Sequence, residues 1–131
     1  MNMEVAFPGG KKTDVVYKGF TIKTDQSEHH GGEGQAPQPF DLFLASIGAC
    51  SGYYVLSFCE KRGIPARDVK LTLHIDKNSE TKMVEKIDID ILTPPDFPKK
   101  YEKALARAAE QCTVTKHLFD PPIIEVRTKA Q

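Results

Sequence analysis

The chain opens with short apolar stretches broken by glycine. Residues 3–7 (MEVAF), 14–18 (DVVYK) and 20–24 (FTIKT) read as strands, with Gly9, Gly10 and Gly19 as turn residues. Residues 25–38 (DQSEHHGGEGQAPQ) are polar and glycine-rich and read as a loop. Then the pattern changes. Leu42 to Cys59 (LFLASIGACSGYYVLSFC) carries no charged residue. Pro39 suits a first helical turn, Asp41 falls at the positive end of the helix dipole, and Gly63 with Pro65 stops the run. A helix is predicted from Pro39 to Arg62, roughly 36 Å long at 1.5 Å per residue. Ordinary surface helices show one apolar stripe, but this one is apolar nearly all round and must be covered on every side. A lone chain of this size would struggle to do that, so a dimer is expected.

Two alternating segments follow. Val69 to Asp76 puts Val69, Leu71, Leu73 and Ile75 on one face, and Val84 to Leu92 does so through Ile87, Ile89 and Ile91. Asn78 to Lys82 supplies the turn of a hairpin with one wet face. Pro94, Pro95 and Pro98 mark a loop, and Lys99 to Gln111 is amphipathic, with Tyr101, Leu105 and Ala108 or Ala109 inward. Cys112 to Leu118 begins a further helical turn, and Ile123 to Thr128 is expected to close as a last strand. The order predicts one α+β domain over 1–131, with antiparallel sheet packed around a long buried central helix.

Composition narrows the function. The 18 basic and 18 acidic residues cancel, and no basic stripe points to nucleic acid. The N-terminus lacks the long apolar core of a secretory signal, so a cytoplasmic address is expected. Ser46, Gly48, Ser51, Gly52 and Ser57 within the apolar run, and flanks of mixed sign, favour a core helix over a membrane span.

Three cysteines, an odd number, argue against a secreted disulfide framework. Cys50 and Cys59 share the long helix, about 13.5 Å apart along its axis and roughly 180° apart around it. A disulfide needs Cα atoms within about 7 Å, so these two cannot pair, and Cys59 reads as a buried space-filler. Cys50 and Cys112 remain, and they meet only if the second helix docks on the first. A pair so placed has the parts of a thiol peroxidase: one thiolate attacks a peroxide and becomes a sulfenic acid, which the other thiol condenses into a disulfide. Cys50 lies mid-helix, so a helix terminus does not activate it, and burial alone would raise its pKa. Lys11, Lys12, Lys18 and Lys23, or His29 and His30, are the candidate cations of the N-terminal segment, although each lysine reads first as a solvated charge. Lys116 and His117 stand beside Cys112, and Tyr53 or Tyr54 can offer a hydroxyl.

Pro39-Phe40-Asp41-Leu42-Phe43-Leu44-Ala45-Ser46-Ile47-Gly48-Ala49-Cys50 and Cys112-Thr113-Val114-Thr115-Lys116 resemble the two cysteine blocks of the OsmC/Ohr family, the osmotically inducible and organic-hydroperoxide-resistance proteins. Gly31-Gly32 and the strand–helix order fit as well, so the resemblance covers nearly the whole chain. It implies an intertwined homodimer with sites at the subunit interface, Cys50 as peroxidatic thiol and Cys112 as the resolving one. In peroxidases of this group an arginine from the N-terminal strands and a glutamate after the helix-opening proline hold the thiolate. Here no arginine precedes Arg62, and Phe40 follows Pro39. Asp41 is the carboxylate one residue further on, about 100° round the helix, and is the third candidate catalytic residue. The pattern is more like the uncharacterised OsmC-like branch, and Thr113 stands where proline is common.

The leading expectation is a cysteine-based reductase of organic hydroperoxides, recycled by an external dithiol and needing no cofactor. Phe40, Phe43 and Ile47 would favour apolar peroxides, and His30 is a site-lining candidate. The missing arginine motivates a second reading, a non-catalytic dimeric protein that binds a small ligand in the same pocket. A zinc site from Cys50, Cys112 and His29, His30 or His117 ranks last, because the spacing matches no compact ligand motif.

Overall fold

Lys18 and Gly19 both take positive φ, 46° and 81°, between Tyr17 and Phe20. That is the geometry of a two-residue turn whose twist matches an antiparallel hairpin. It joins β2 (Lys12–Tyr17) to β3 (Phe20–Ile22), and β1 (Glu4–Gly9) pairs antiparallel on the other edge of β2, giving the order β1-β2-β3. The computed structural model describes all residues, Met1 to Gln131. They divide into two compact units, Met1–Ala45 and Ser46–Gln131.

The polar loop of the first unit winds round one carboxylate. Asp25 has no exposed surface. Its Oδ1 accepts the Gln26 N–H at 2.8 Å, and its Oδ2 accepts those of Gln35 at 3.1 Å and Glu33 at 3.3 Å. Lys12 Nζ stands 3.9 Å from the same Oδ2. Gly32 closes over this knot: a Cβ there would lie 2.8 Å from Asp25 Oδ1 and collide with the Gln26 carbonyl, so only glycine fits.

Helix α1 (Pro39–Lys61) starts in the first unit and continues through the second. At its start the Asp41 carboxylate accepts the Gln38 N–H at 3.2 Å. This is half of a capping box, which satisfies an amide that the helix leaves open. Further along, Ile47, Ser51, Val55, Phe58 and Cys59 are buried at helical spacing. Val55, Phe58 and Cys59 form the core of the second unit with Phe97, Leu105 and Ala109. The rest of that stretch is not covered within the chain: Tyr53 and Leu56 are exposed. Within this chain α1 is buried along one stripe.

The hairpin is as the alternation indicated. β4 (Lys70–Lys77) and β5 (Val84–Leu92) pair antiparallel with Leu71 opposite Ile91, Leu73 opposite Ile89 and Ile75 opposite Ile87. These side chains alternate with exposed neighbours along β4. At Gly48 the helix comes so close to the hairpin that a Cβ would lie 3.1 Å from Leu73 Cδ1. The second amphipathic segment is a 3-10 turn (Lys99–Tyr101) leading into α2 (Glu102–Ala109), with Leu105 and Ala109 buried.

The expected closing strand from Ile123 to Thr128 does not form, and regular structure ends with α3 (Thr113–Phe119). A strand needs a neighbour for its amides and carbonyls, and none pairs with this segment here. Ile123, Ile124 and Val126 are instead 82% to 94% exposed.

Burial pushes the Asp25 carboxyl up, but the amides of Gln26, Gln35 and Glu33 with the Lys12 charge outweigh it and hold it below its usual 3.8. A depressed folded-state pKa gives stability that is present above the usual value and lost as pH falls through the folded one. The urea midpoint of the protein is therefore expected to fall as pH drops below about 4. In Asp25→Asn that fall should be shallower, with a lower midpoint at neutral pH; an unchanged acid limb would refute the assignment.

Candidate active site

Cys112 sits in the turn after α2 and caps α3. Its backbone is non-helical, with φ −48° and ψ 117°, and its sulfur accepts the Thr115 N–H at 3.4 Å. A sulfur here does what a serine or aspartate oxygen does at most helix starts. The first turn of α3 is moored to α1 by a hydrogen bond between the Tyr54 and Thr113 hydroxyls at 3.3 Å. Thr113 is the first helical residue, a position that suits proline, and its hydroxyl makes a bond that proline could not.

Two sulfurs from separate helices thus come together. The Cys50 thiol is near enough to the Cys112 sulfur to help lower its pKa, and Cys112 Sγ donates to the Ile47 carbonyl at 3.9 Å. Ile47 and Cys50 are three residues apart on α1 and so share a face. The two thiols differ in access: Cys50 is half-buried, whereas Cys112 is 1% exposed. Cys59 takes no part, being fully buried in the core.

The sulfurs also differ electrically. Burial pushes the Cys112 thiol up, but hydrogen bonds from the Thr115 hydroxyl and amide, the Cys50 thiol and the Val114 amide outweigh it. Cys112 therefore lies below the ordinary thiol value. Burial pushes the Cys59 thiol up, and Arg62 offsets only part of this.

An open cleft of about 470 Å³ reaches Ser51 and Thr115, residues next to the pair, and is lined mainly by apolar side chains. Its walls include Ser51, which follows Cys50, Ile89 and Ile91 from β5, Ala109 from α2, and Thr115 and Phe119 from α3. Thr115, Ser51 and these wall residues were not among the sequence candidates. A Cys-x-x-Thr spacing at a helix start was the one local signal for Thr115. The cleft residues come from four elements and carry no common motif.

The remaining candidates belong to the first unit. Phe40 and Phe43 stack with ring centroids 5.4 Å apart. Phe40 also borders a small cavity with Gln26, His30, Gln38 and Pro39. His30 Nδ1 is 2.8 Å from Ser27 Oγ, and its ring meets that of His29 edge to face. Asp41 makes its capping bond there. Lys12 is engaged by Glu33 Oε1 at 3.2 Å as well as by Asp25. On α3, His117 Nδ1 donates to the Thr113 carbonyl at 2.7 Å. No three His, Cys, Asp or Glu side chains converge as a metal-binding set.

The model of the OsmC-like protein family matches residues 32–127, and the chain belongs to that family. Among solved structures, a Psychrobacter arcticus protein named for osmotic stress induction and the detoxification response superposes with a TM-score of 0.75. It is 20% identical, over 88% of this chain and 86% of that one. An OsmC-like protein of Mycoplasma pneumoniae gives 0.69 at 10% identity, over 92% and 87%. The organic hydroperoxide resistance protein OhrB of Bacillus subtilis gives 0.51 at 19% identity, over 88% and 89%. At such identities the likeness is one of fold. No curated protein sequence matches the chain.

The site geometry makes one expectation that needs no substrate. Mild oxidation of the reduced protein with diamide, followed by peptide mapping, should give a Cys50–Cys112 disulfide with Cys59 left as the free thiol. A product in which Cys59 is the preferred partner would refute the pairing.

Proposed function

We propose that this protein is a thiol-dependent peroxidase that reduces organic hydroperoxides in the cytoplasm, working as a homodimer without an organic cofactor. The observation that carries the reading is the meeting of an accessible and a buried thiol beside an apolar cleft. The Cys50 sulfur attacks the terminal peroxide oxygen, the O–O bond breaks, and the alcohol leaves with a proton. Cys50 is then a sulfenic acid. The Cys112 sulfur attacks it, the hydroxyl leaves as water, and a disulfide forms. An external dithiol reduces that disulfide by exchange. The apolar cleft favours a hydroperoxide with a hydrocarbon body over hydrogen peroxide. Ile47, one turn before Cys50 on α1, belongs to the proposal as a substrate-side residue. The three free thiols suit a reducing compartment. Relatives in fold named as organic hydroperoxide resistance proteins, from Legionella pneumophila and Bacillus subtilis, support the substrate class.

A second reading, a dimeric protein that binds a small apolar ligand without turnover, has its own support. No arginine precedes Arg62, and Lys12 is tied to carboxylates.

Uncovered apolar surface supports the dimer. Phe7, Phe20, Tyr53, Leu56, Ile123 and Ile124 are all exposed, large apolar side chains that a second subunit would cover. Light scattering behind a sizing column should give the mass of two chains, and Ile124→Asp should shift the population towards one. A wild-type monomer at micromolar concentration would overturn the dimer.

Consumption of cumene hydroperoxide with excess dithiol separates the two functional readings. Wild type should turn over, and Cys50→Ser should fall to the uncatalysed background. Equal rates, or none in wild type, would remove the enzymatic reading and leave the ligand-binding one.

A further inference from the structure

The cleft that reaches Ser51 and Thr115 continues along β5. A second cavity of about 350 Å³ shares Ile89, Ile91 and Ala106 with it and extends to Thr93, Glu102 and Leu105. The two form one groove between β5 and α2. Small side chains open it: α2 presents Ala106 and Ala109 to the half-buried Ile89 and Ile91, where larger residues would fill the space. Glu102, Ala106 and Glu110 succeed one another a turn apart, so they follow one row of the helix over about 12 Å.

The ionisable residues on the walls are all acidic. Glu110 stands in the part that reaches Ser51, and Glu102 in the part that reaches Thr93. Asp90 also borders the second cavity, but its carboxylate is engaged by His74 Nε2 at 3.1 Å. Neither glutamate is held in an ion pair. Lys103 and Arg107 share the neighbouring row of α2, and neither lines the groove. A hydrocarbon chain laid here gains by leaving water. A carboxylate laid here meets like charge and finds no cation to pair with.

We propose that this groove holds the hydrocarbon chain of an uncharged hydroperoxide, such as that of a fatty-acid ester, and that Glu102 and Glu110 exclude the free acid. This rests on the peroxidase reading and deepens it, because it names the substrate class of the same site. The peroxide end lies towards Ser51, the residue after Cys50, and the chain runs along Ile89 and Ile91 towards Glu102. A carboxylate at the far end of the chain meets Glu102, and one near the peroxide meets Glu110. Discrimination then comes from repulsion of the wrong substrate, with no added contact to the right one.

Binding and turnover are read separately on the reduced full-length protein. Displacement of the neutral dye Nile red gives the affinities for methyl decanoate and for decanoate, neither of which oxidises a thiol. The ester should bind roughly tenfold tighter, the scale of one like-charge contact at a protein surface. At about 1 M salt, where charges are screened within about 3 Å, the gap should narrow. Glu102→Gln combined with Glu110→Gln should also narrow it, by raising the affinity for decanoate. Ala106→Phe fills the groove from an exposed position and should weaken the ester; unchanged ester binding there would overturn the proposal by placing the ligand elsewhere. In turnover, the hydroperoxide of methyl linoleate should have a higher kcat/KM than that of linoleic acid, and the double glutamine variant should raise the value for the acid. Acid and ester treated alike, with the glutamines changing neither, would overturn the proposal and leave the peroxidase reading standing. A preference for the ester in a protein that reduces no hydroperoxide would refute the peroxidase reading while leaving the groove assigned to an uncharged apolar chain. If neither ligand displaces the dye, a second copy of the chain fills the groove instead, and the proposal falls.

Discussion

The chemistry of this protein depends on where the first turn of α3 docks on the middle of α1. Two interactions hold that place: the Tyr54–Thr113 hydroxyl pair and the bond from Cys112 Sγ to the Ile47 carbonyl. Each reaches α1 within two turns of Cys50. What fixes α1 itself is the buried stripe from Ile47 to Cys59 and the bare backbone at Gly48, which lets the helix lie against Leu73. A helix held further out would carry Cys50 away from the turn that presents Cys112. The packing of one glycine against one leucine thus helps to set the separation of two sulfurs.

Much of this was legible in the sequence, and the reason is local. A run without charge between a proline and a glycine marks a helix, and α1 spans Pro39–Lys61. Alternation at period two marks a half-buried hairpin, and Leu71, Leu73 and Ile75 do face Ile91, Ile89 and Ile87. Leu105 and Ala109 turn inward as the amphipathic pattern required. Exclusion of Cys59 followed from helix geometry alone.

Other features escaped because they are properties of partners. Ile123 to Val126 has the composition of a strand, but composition cannot supply the neighbour that a strand needs, and in this chain it lies unpaired. Thr115 escaped for a different reason. Caps are recognised by serine, threonine, aspartate or asparagine at the helix boundary, and a cysteine in that place does not announce the amide it accepts. Asp41 carries two meanings at once: a carboxylate three residues into a helix suits a capping bond as well as a site, and the capping bond is the one visible in its own unit.

A buried negative sulfur can be held by a guanidinium or by dipoles, and the two have different consequences. A guanidinium brings a second charge whose own desolvation must be offset. The first-turn amides of a helix need partners in any case, so a sulfur that accepts from one of them leaves no additional polar group unsatisfied. Dipoles also act at short range. Amides and a hydroxyl gathered around Cys112 favour charge on that sulfur, while Cys50 sits against α1 backbone whose amides are engaged. Without an arginine in the N-terminal strands, the local donors are what this chain has to work with. The donors thus lie where solvent is absent, and Cys50 is the more exposed of the two sulfurs.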